Sequence, residues 1–249
     1  MKVIILAAGY ATRLYPLTLN CPKPLLKIAG KPMLDHILES LSPVEGIEEV
    51  IIVTNSKFSG HFREWASKTE FRFMGKKPRV IDDLTTEDTN KRGAIGDIYY
   101  VLHECGIRED IWVLAGDNLF ENDLLDFARS CREIEAPRVG IYDVEDLELV
   151  KKYCSIEVDE KNRITSFKEK PQNPTSTWSA IALYYYPASV LKMIDDYIVQ
   201  GNNPDQPGRL VEWLSKRIPF YVWKVMGKWY DIGSKESLKE ADRIFTSLR

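Results

Sequence analysis

The sequence predicts an α/β fold, a doubly wound mixed sheet with a β-rich second half, and three observations predict it. The chain opens on a short continuous apolar run, Val3 to Ala8, that stops at Gly9; this is the pattern of a strand buried on both faces of a parallel sheet. Two more such runs, Val50 to Val53 and Ile111 to Ala115, are separated by helical patterns, and alternating strands and helices give a sheet whose ligands bind at the carboxyl ends of its strands. After Pro137, strand-like runs follow at shorter spacing, with Asp159 to Asn162 as a hairpin turn between two of them.

The first strand leads into a loop, Gly9 to Pro24, in which Pro16, Pro22 and Pro24 forbid a regular helix. Met33, Ile37, Leu38 and Leu41 repeat at helical spacing between Pro32 and Pro43, which predicts the first helix. Phe58, Phe62 and Trp65 predict a second helix behind the Val50 strand. Arg79 to Ile81 reads as a short strand, Asp82 to Arg92 as a polar loop, and Ile98, Val101, Leu102 and Cys105 as a helix. Further strands are predicted at Val139 to Val144, Cys154 to Val158, Ile164 to Glu169, Ser179 to Tyr186 and Phe220 to Val225. Helices are predicted at Ala188 to Val199, at Arg209 to Arg217 and from Lys235. No repeat or low-complexity linker interrupts the chain, so residues 1–249 are expected to form a single domain, with halves 1–136 and 137–249.

Hydrophobic residues make up 44% and charged residues 29% of the chain, the balance of a soluble globular protein. The net charge of −3 gives no basic field for a nucleic-acid backbone. The N-terminal apolar run is too short to span a membrane and has no cleavage region, so neither membrane insertion nor export is expected. Cys21, Cys105, Cys131 and Cys154 show no C-x-x-C spacing, which predicts free thiols in a reducing cytoplasm. His36, His61 and His103 fall in or near predicted helices with no carboxylate partner implied by spacing, and Tyr184 to Tyr186 read as core aromatics.

Two of the chemistry-bearing segments, those of Gly9 and Asp117, lie at the carboxyl ends of predicted strands. Leu6, Ala7, Ala8 and Gly9 are followed by Thr12-Arg13-Leu14, Pro16, Thr18 and then Pro22-Lys23-Pro24-Leu25-Leu26. Small residues let a ligand approach the backbone while Arg13 and Lys23 add fixed positive charge, the makings of a triphosphate cradle. Asp117 lies in Gly116-Asp117-Asn118, where a carboxylate can hold Mg²⁺ against triphosphate oxygens, and Asp231 in Trp229-Tyr230-Asp231-Ile232-Gly233. Taken singly, each reads more readily as a turn or cap aspartate than as a metal ligand. Lys168-Glu169-Lys170-Pro171 alone reads as a solvated strand end, and Gly93 alone as a helix-start glycine.

Together these segments resemble the sugar-nucleotide pyrophosphorylases, the sugar-1-phosphate nucleotidylyltransferases of glucose-1-phosphate thymidylyltransferase type. That family opens L-A-A/G-G-x-G/A-T/S-R-L-x-P-x-T and continues P-K-P-L/M-L. The P-loop and the Rossmann G-x-G-x-x-G are both absent. The resemblance implies a Rossmann-like nucleotide-diphospho-sugar transferase fold with a β-rich sugar-binding lobe. It implies that Leu6, Ala7, Ala8, Gly9, Arg13 and Lys23 hold the nucleotide, with Gly93 and Ala94 against the base, and that Mg²⁺ sits on Asp117 and Asp231. Glu169, Lys170 and the strand carrying Ala180 are implied to take the sugar phosphate, with Arg13, Lys23, Asp117 and Lys170 as the catalytic set. Ala182 stands where that family has glycine, and Cys154 follows Tyr153 where it has Tyr-Gly.

The reaction so implied joins a nucleoside triphosphate, dTTP or UTP, to glucose 1-phosphate. The phosphate nucleophile is already an anion and needs no general base. Three alternatives stay open: a cytidylyltransferase for a small phosphate such as phosphocholine, a metal-dependent glycosyltransferase, and a nucleotide-binding regulatory module without turnover. The resemblance also implies self-association without fixing its order. The chain is expected to lack the C-terminal β-helix of some family members.

Overall fold

The computed structural model describes residues 1–247. Its strands are β1 (Lys2–Leu6), β2 (Lys27–Ile28), β3 (Lys31–Pro32), β4 (Glu49–Thr54), β5 (Arg79–Asp82), β6 (Ile111–Ala115), β7 (Asn118–Phe120), β8 (Arg138–Asp143), β9 (Cys154–Val158), β10 (Ile164–Glu169), β11 (Trp178–Tyr186), β12 (Tyr221–Lys224) and β13 (Trp229–Asp231). Its helices are α1 (Met33–Leu41), α2 (Ser59–Lys68), α3 (Ala94–Glu104), α4 (Leu125–Glu133), α5 (Leu147–Val150), α6 (Ala188–Val199), α7 (Pro207–Ser215) and α8 (Lys235–Ser247). The result is the mixed α/β architecture that the sequence predicts. No helix among the described residues is long and apolar enough to cross a membrane.

The chain divides into two compact units whose segments alternate along it. The first unit comprises Met1–Lys91, Leu114–Leu125 and the residues from Gly227 onward; the second comprises Arg92–Val113 and Asp126–Met226.

In the first unit the strand order is β6-β1-β4-β5, and β1, β4 and β5 are parallel, with Lys2 opposite Glu49 and Ile51 opposite Arg79. Val3, Ile4, Ile5, Ile51, Ile52 and Val53 are fully buried, as continuous apolar runs in a covered parallel sheet must be. Helix α1 buries Met33, Leu34, Ile37, Leu38 and Leu41 on one face, and Pro43 falls just beyond its end. Two short strand pairs were not legible in the sequence: the antiparallel pair β2–β3, and β7 with β13.

In the second unit the order is β12-β8-β11-β6, with β11 antiparallel and β12 parallel to β8. Its core includes Trp112, Phe127, Ile141, Leu183, Tyr184, Tyr186 and Leu214. Strands β9 and β10 form the expected hairpin across residues 159–162. His103 Nε2 lies 2.9 Å from Asp195 Oδ1, a pairing the sequence did not suggest because it joins α3 to α6. His36 is buried, with Nε2 2.9 Å from the Ile28 carbonyl oxygen.

Candidate functional site

In the first unit the loop after β1 is built by its own backbone. Ala7 N–H donates to the Val53 carbonyl at 2.9 Å, and Asn55 Nδ2 donates to the Ala8 carbonyl at 2.8 Å, so the end of β1 is tied to β4. Gly9 is exposed, and a Cβ there would meet nothing within 4 Å, so this face of the loop is open. Ala11 turns with φ 48°, and its carbonyl accepts from the Leu14 N–H at 3.0 Å and from the buried Thr18 hydroxyl at 2.8 Å. The proline-rich segment therefore makes only two 3₁₀ turns, Thr12–Leu14 and Lys23–Leu25. Arg13 projects, exposed, from the first turn.

Lys23, on the second turn, reaches the end of β6: its Nζ donates to Asp117 Oδ2 at 2.5 Å. Gly116 makes that approach possible. A Cβ at Gly116 would lie 3.0 Å from the Leu6 carbonyl oxygen and 3.0 Å from Pro24 Cγ, and its N–H donates to Leu6 O at 2.9 Å. The other Asp117 oxygen, Oδ1, accepts from Asn118 Nδ2 at 2.9 Å, and Asn118 Oδ1 accepts from the Trp229 indole N–H at 2.6 Å. The carboxylate is thus held from both sides.

Strand β13 brings the second aspartate to the same place. Asp231 stands opposite Asn118 in the β7–β13 register, and Ile232 N–H donates to the Asp117 carbonyl at 3.2 Å. Lys23, Asp117 and Asp231, distant in sequence, are neighbours here, whereas Arg13 is not part of the Lys23–Asp117 pair.

In the second unit, Gly93 begins α3 with φ 78°, and a Cβ there would lie 2.6 Å from the Pro204 carbonyl oxygen. The N–H groups of Ala94 and Ile95 donate to the carbonyls of Asp205 and Pro204 at 3.1 and 2.8 Å. These first-turn amides, which a helix leaves without partners of its own, are thereby satisfied. Backbone conformation and close approach are by themselves enough to require glycine at position 93.

Glu169, at the end of β10, pairs in register with Cys154 on β9. Cys154 Sγ accepts from the Ala180 N–H at 3.0 Å, which ties β9 to β11 beside Glu169. Lys170 leaves the strand at φ 45°, exposed, with its N–H donating to the Tyr153 carbonyl at 2.8 Å. Burial pushes the Glu169 carboxyl up to about 7, against the opposing pull of Lys170 and Arg209, with Glu212 adding to the rise. Burial likewise pushes up the Cys154 thiol and the Tyr184 phenol. Gly208, which no local sequence pattern singles out, lies in α7 directly against the Glu169 carboxylate.

A model of the nucleotidyl transferase family matches residues 2–247. The bifunctional protein GlmU of Methanocaldococcus jannaschii is 26% identical over 100% of this chain and 56% of its own length. A UTP–glucose-1-phosphate uridylyltransferase from Synechocystis is 29% identical over 98% of this chain and 63% of its own length. The chain thus spans between about half and two thirds of the length of these relatives. A crystal structure of a UDP-glucose pyrophosphorylase complexed with UDP-glucose superposes with a TM-score of 0.82 at 24% identity, covering 100% of this chain and 99% of that one, which shows the shared fold. On the family match, which runs through the glycine loop, Lys23, Asp117 and Asp231, this chain belongs to the nucleotidyl transferase family.

Proposed function

We propose that this protein condenses a nucleoside triphosphate with a sugar 1-phosphate, giving a nucleoside diphosphate sugar and pyrophosphate. The observation that carries the reading is the Lys23–Asp117 ion pair beside the end of β1, with Asp231 brought opposite the next residue, Asn118. An ammonium and two carboxylates at strand ends suit a polyphosphate and its counter-cation, and a regulatory module without turnover would not need both. Glucose 1-phosphate with dTTP or UTP is the favoured substrate pair, supported by the sequence resemblance and by the names of the similar proteins.

In the reaction an oxygen of the sugar phosphate attacks the α-phosphorus. The bond from that phosphorus to the bridging oxygen breaks, and pyrophosphate leaves with the electron pair. No proton has to be removed from the nucleophile, so the task is alignment of two anions and stabilisation of the developing charge. Lys23, with Arg13 on the neighbouring turn, supplies positive charge to the triphosphate. Backbone at Leu6, Ala7, Ala8 and Gly9 borders it, and Gly93 and Ala94 are assigned to the base. Glu169 and Lys170, with the β11 backbone at Ala180, receive the acceptor.

Mg²⁺ suits this donor set. Asp117, in the turn between β6 and β7, and Asp231, on β13 opposite Asn118, offer two hard carboxylate oxygen donors. That is the protein contribution a magnesium ion takes when phosphate oxygens and water complete its shell. Asp117 and Asp231 would hold it, and when bound it neutralises charge on the phosphate oxygens. No disulfide joins the four cysteines, which supports a cytoplasmic setting.

The test is pyrophosphate release on incubation with Mg²⁺, glucose 1-phosphate and each nucleoside triphosphate in turn. The expected result is release with dTTP or UTP that depends on the sugar phosphate. Release only with phosphocholine and CTP would replace the acceptor assignment.

A further inference from the structure

The inference concerns α7 and rests on the acceptor role proposed for Glu169. Gly208 lies in the first turn of that helix, buried, directly after Pro207. Glycine is a poor helix residue, and here the backbone is ordinary helix with no positive φ to require it. What requires it is space. A Cβ at Gly208 would lie 2.0 Å from Glu169 Oε2, 3.1 Å from Glu169 Cδ and 3.2 Å from Phe167 Cζ. Two of these three atoms belong to the end of one flexible side chain, so an added methyl would displace the carboxylate and leave the helix where it is.

We propose that Gly208 is a positioning residue for acceptor recognition: the side chain it lacks leaves the place in which the Glu169 carboxylate rests against α7. On the strand side the register partner of Glu169 is Cys154, whose thiol lies within electrostatic reach of the Glu169 carboxylate. Charged and titratable groups around it come from every neighbouring element: Lys170 on β10's continuation, Arg209 and Glu212 on α7, Tyr184 on β11 and Cys154 on β9. Arg209 is itself steadied, its Nε donating to Gln206 Oε1 at 2.5 Å. Substrate choice is therefore set by α7 as well as by the strand that carries Glu169.

The experiment uses the full chain. Gly208→Ala is expected to keep its melting temperature, to raise the KM for the sugar phosphate about tenfold, the loss of roughly one charge-assisted hydrogen bond, and to leave the KM for the nucleoside triphosphate unchanged. Glu169→Asp, one methylene shorter, makes room for the new methyl, so in the double variant the two effects on KM fall short of additive. Independently of turnover, ¹³C NMR of the Glu169 carboxyl should show its titration move from about 7 in the wild type toward the ordinary 4.5 in Gly208→Ala. Additive effects, a raised KM for the nucleotide, an unmoved titration or a variant that fails to fold would each overturn the proposal. Absence of turnover in the wild type would instead defeat the proposed reaction, while the titration still tests Gly208.

Discussion

Lys23 Nζ donates to Asp117 Oδ2 at 2.5 Å, an ion pair between residues 94 positions apart in the chain. Both partners are only partly exposed, with side-chain exposures of 13% and 31%, so their attraction is less screened than that of a surface pair. The pair holds the lysine at the end of β6 before any substrate arrives, and a triphosphate with its counter-cation offers each partner a new one. Lys23→Met, which keeps the stem and removes the charge, is expected to lower kcat about 10²–10³-fold, the range for a group stabilising transition-state charge. Asp117→Ala is expected to lose turnover by a similar or larger factor while its circular dichroism spectrum stays that of the wild type. Steady-state kinetics on both variants check this; a loss below about threefold in either case would remove that residue from the reacting site.

Asn118 is expected to matter through Asp117. It is buried, donates to Asp117 Oδ1 and accepts from the Trp229 indole. Asn118→Ala removes one hydrogen bond to the Trp229 indole N–H and one to the Asp117 carboxylate, a cost of about 1–3 kcal/mol. Denaturant unfolding should show that loss together with a reduced kcat. A stability loss with unchanged kcat would make Asn118 a structural residue only.

Gly93→Ala is expected to destabilise by about 2–3 kcal/mol, combining the strain of positive φ with the approach of the Pro204–Asp205 backbone, which cannot yield as a side-chain tip can. Chemical denaturation measures it. In protein that remains folded, an unchanged KM for the nucleotide would restrict Gly93 to starting α3.

Ala182 sits in β11 at φ 29°, where the register against β8 shifts between Ala180 and Tyr184. Strain of this kind costs an alanine about 1–2 kcal/mol, whereas glycine raises the entropy of the unfolded chain by about 0.4–1 kcal/mol. The strain is the larger, so Ala182→Gly should stabilise the protein by up to about 1 kcal/mol, read as a higher unfolding midpoint. A lower midpoint would show that the surrounding strands need the methyl.

The Glu169 carboxyl, raised by burial from 4.5 to about 7, gives a signed pH dependence. Because the folded state holds its proton more tightly than the unfolded state, the contribution to stability is complete below pH 4.5 and is lost as pH rises through 7. Glu169→Gln keeps a neutral group in place at every pH. The stability of the wild type relative to this variant should therefore fall between those limits and stay level above them. Parallel stability curves for the two proteins would contradict it.

Elements defined by local pattern were legible in the sequence. The apolar runs of β1, β4 and β6 and the helical spacing of α1 encode their burial directly, and the prolines of residues 16–24 announce a loop. Helix α4 was not legible, because its buried residues, Phe127, Ala128, Ser130 and Cys131, are few and partly polar. The two- and three-residue strands β2, β3, β7 and β13 are defined by partners, not by propensity. Lys23, Asp117 and Asp231 could be picked out from their flanking residues, but the Lys23–Asp117 pair depends on Gly116, and the place of Asp231 next to it depends on the β7–β13 register. Gly208 had no local signature at all, since its reason lies in Glu169, 39 positions away.

The most direct test of nucleotidyl transfer is to follow a nucleoside triphosphate labelled at its α-phosphate, with glucose 1-phosphate and Mg²⁺ present. The label is expected to appear in a nucleoside diphosphate sugar in step with pyrophosphate, and Asp117→Ala to abolish both. Label recovered only in unreacted triphosphate, across every nucleotide and sugar phosphate offered, would contradict it.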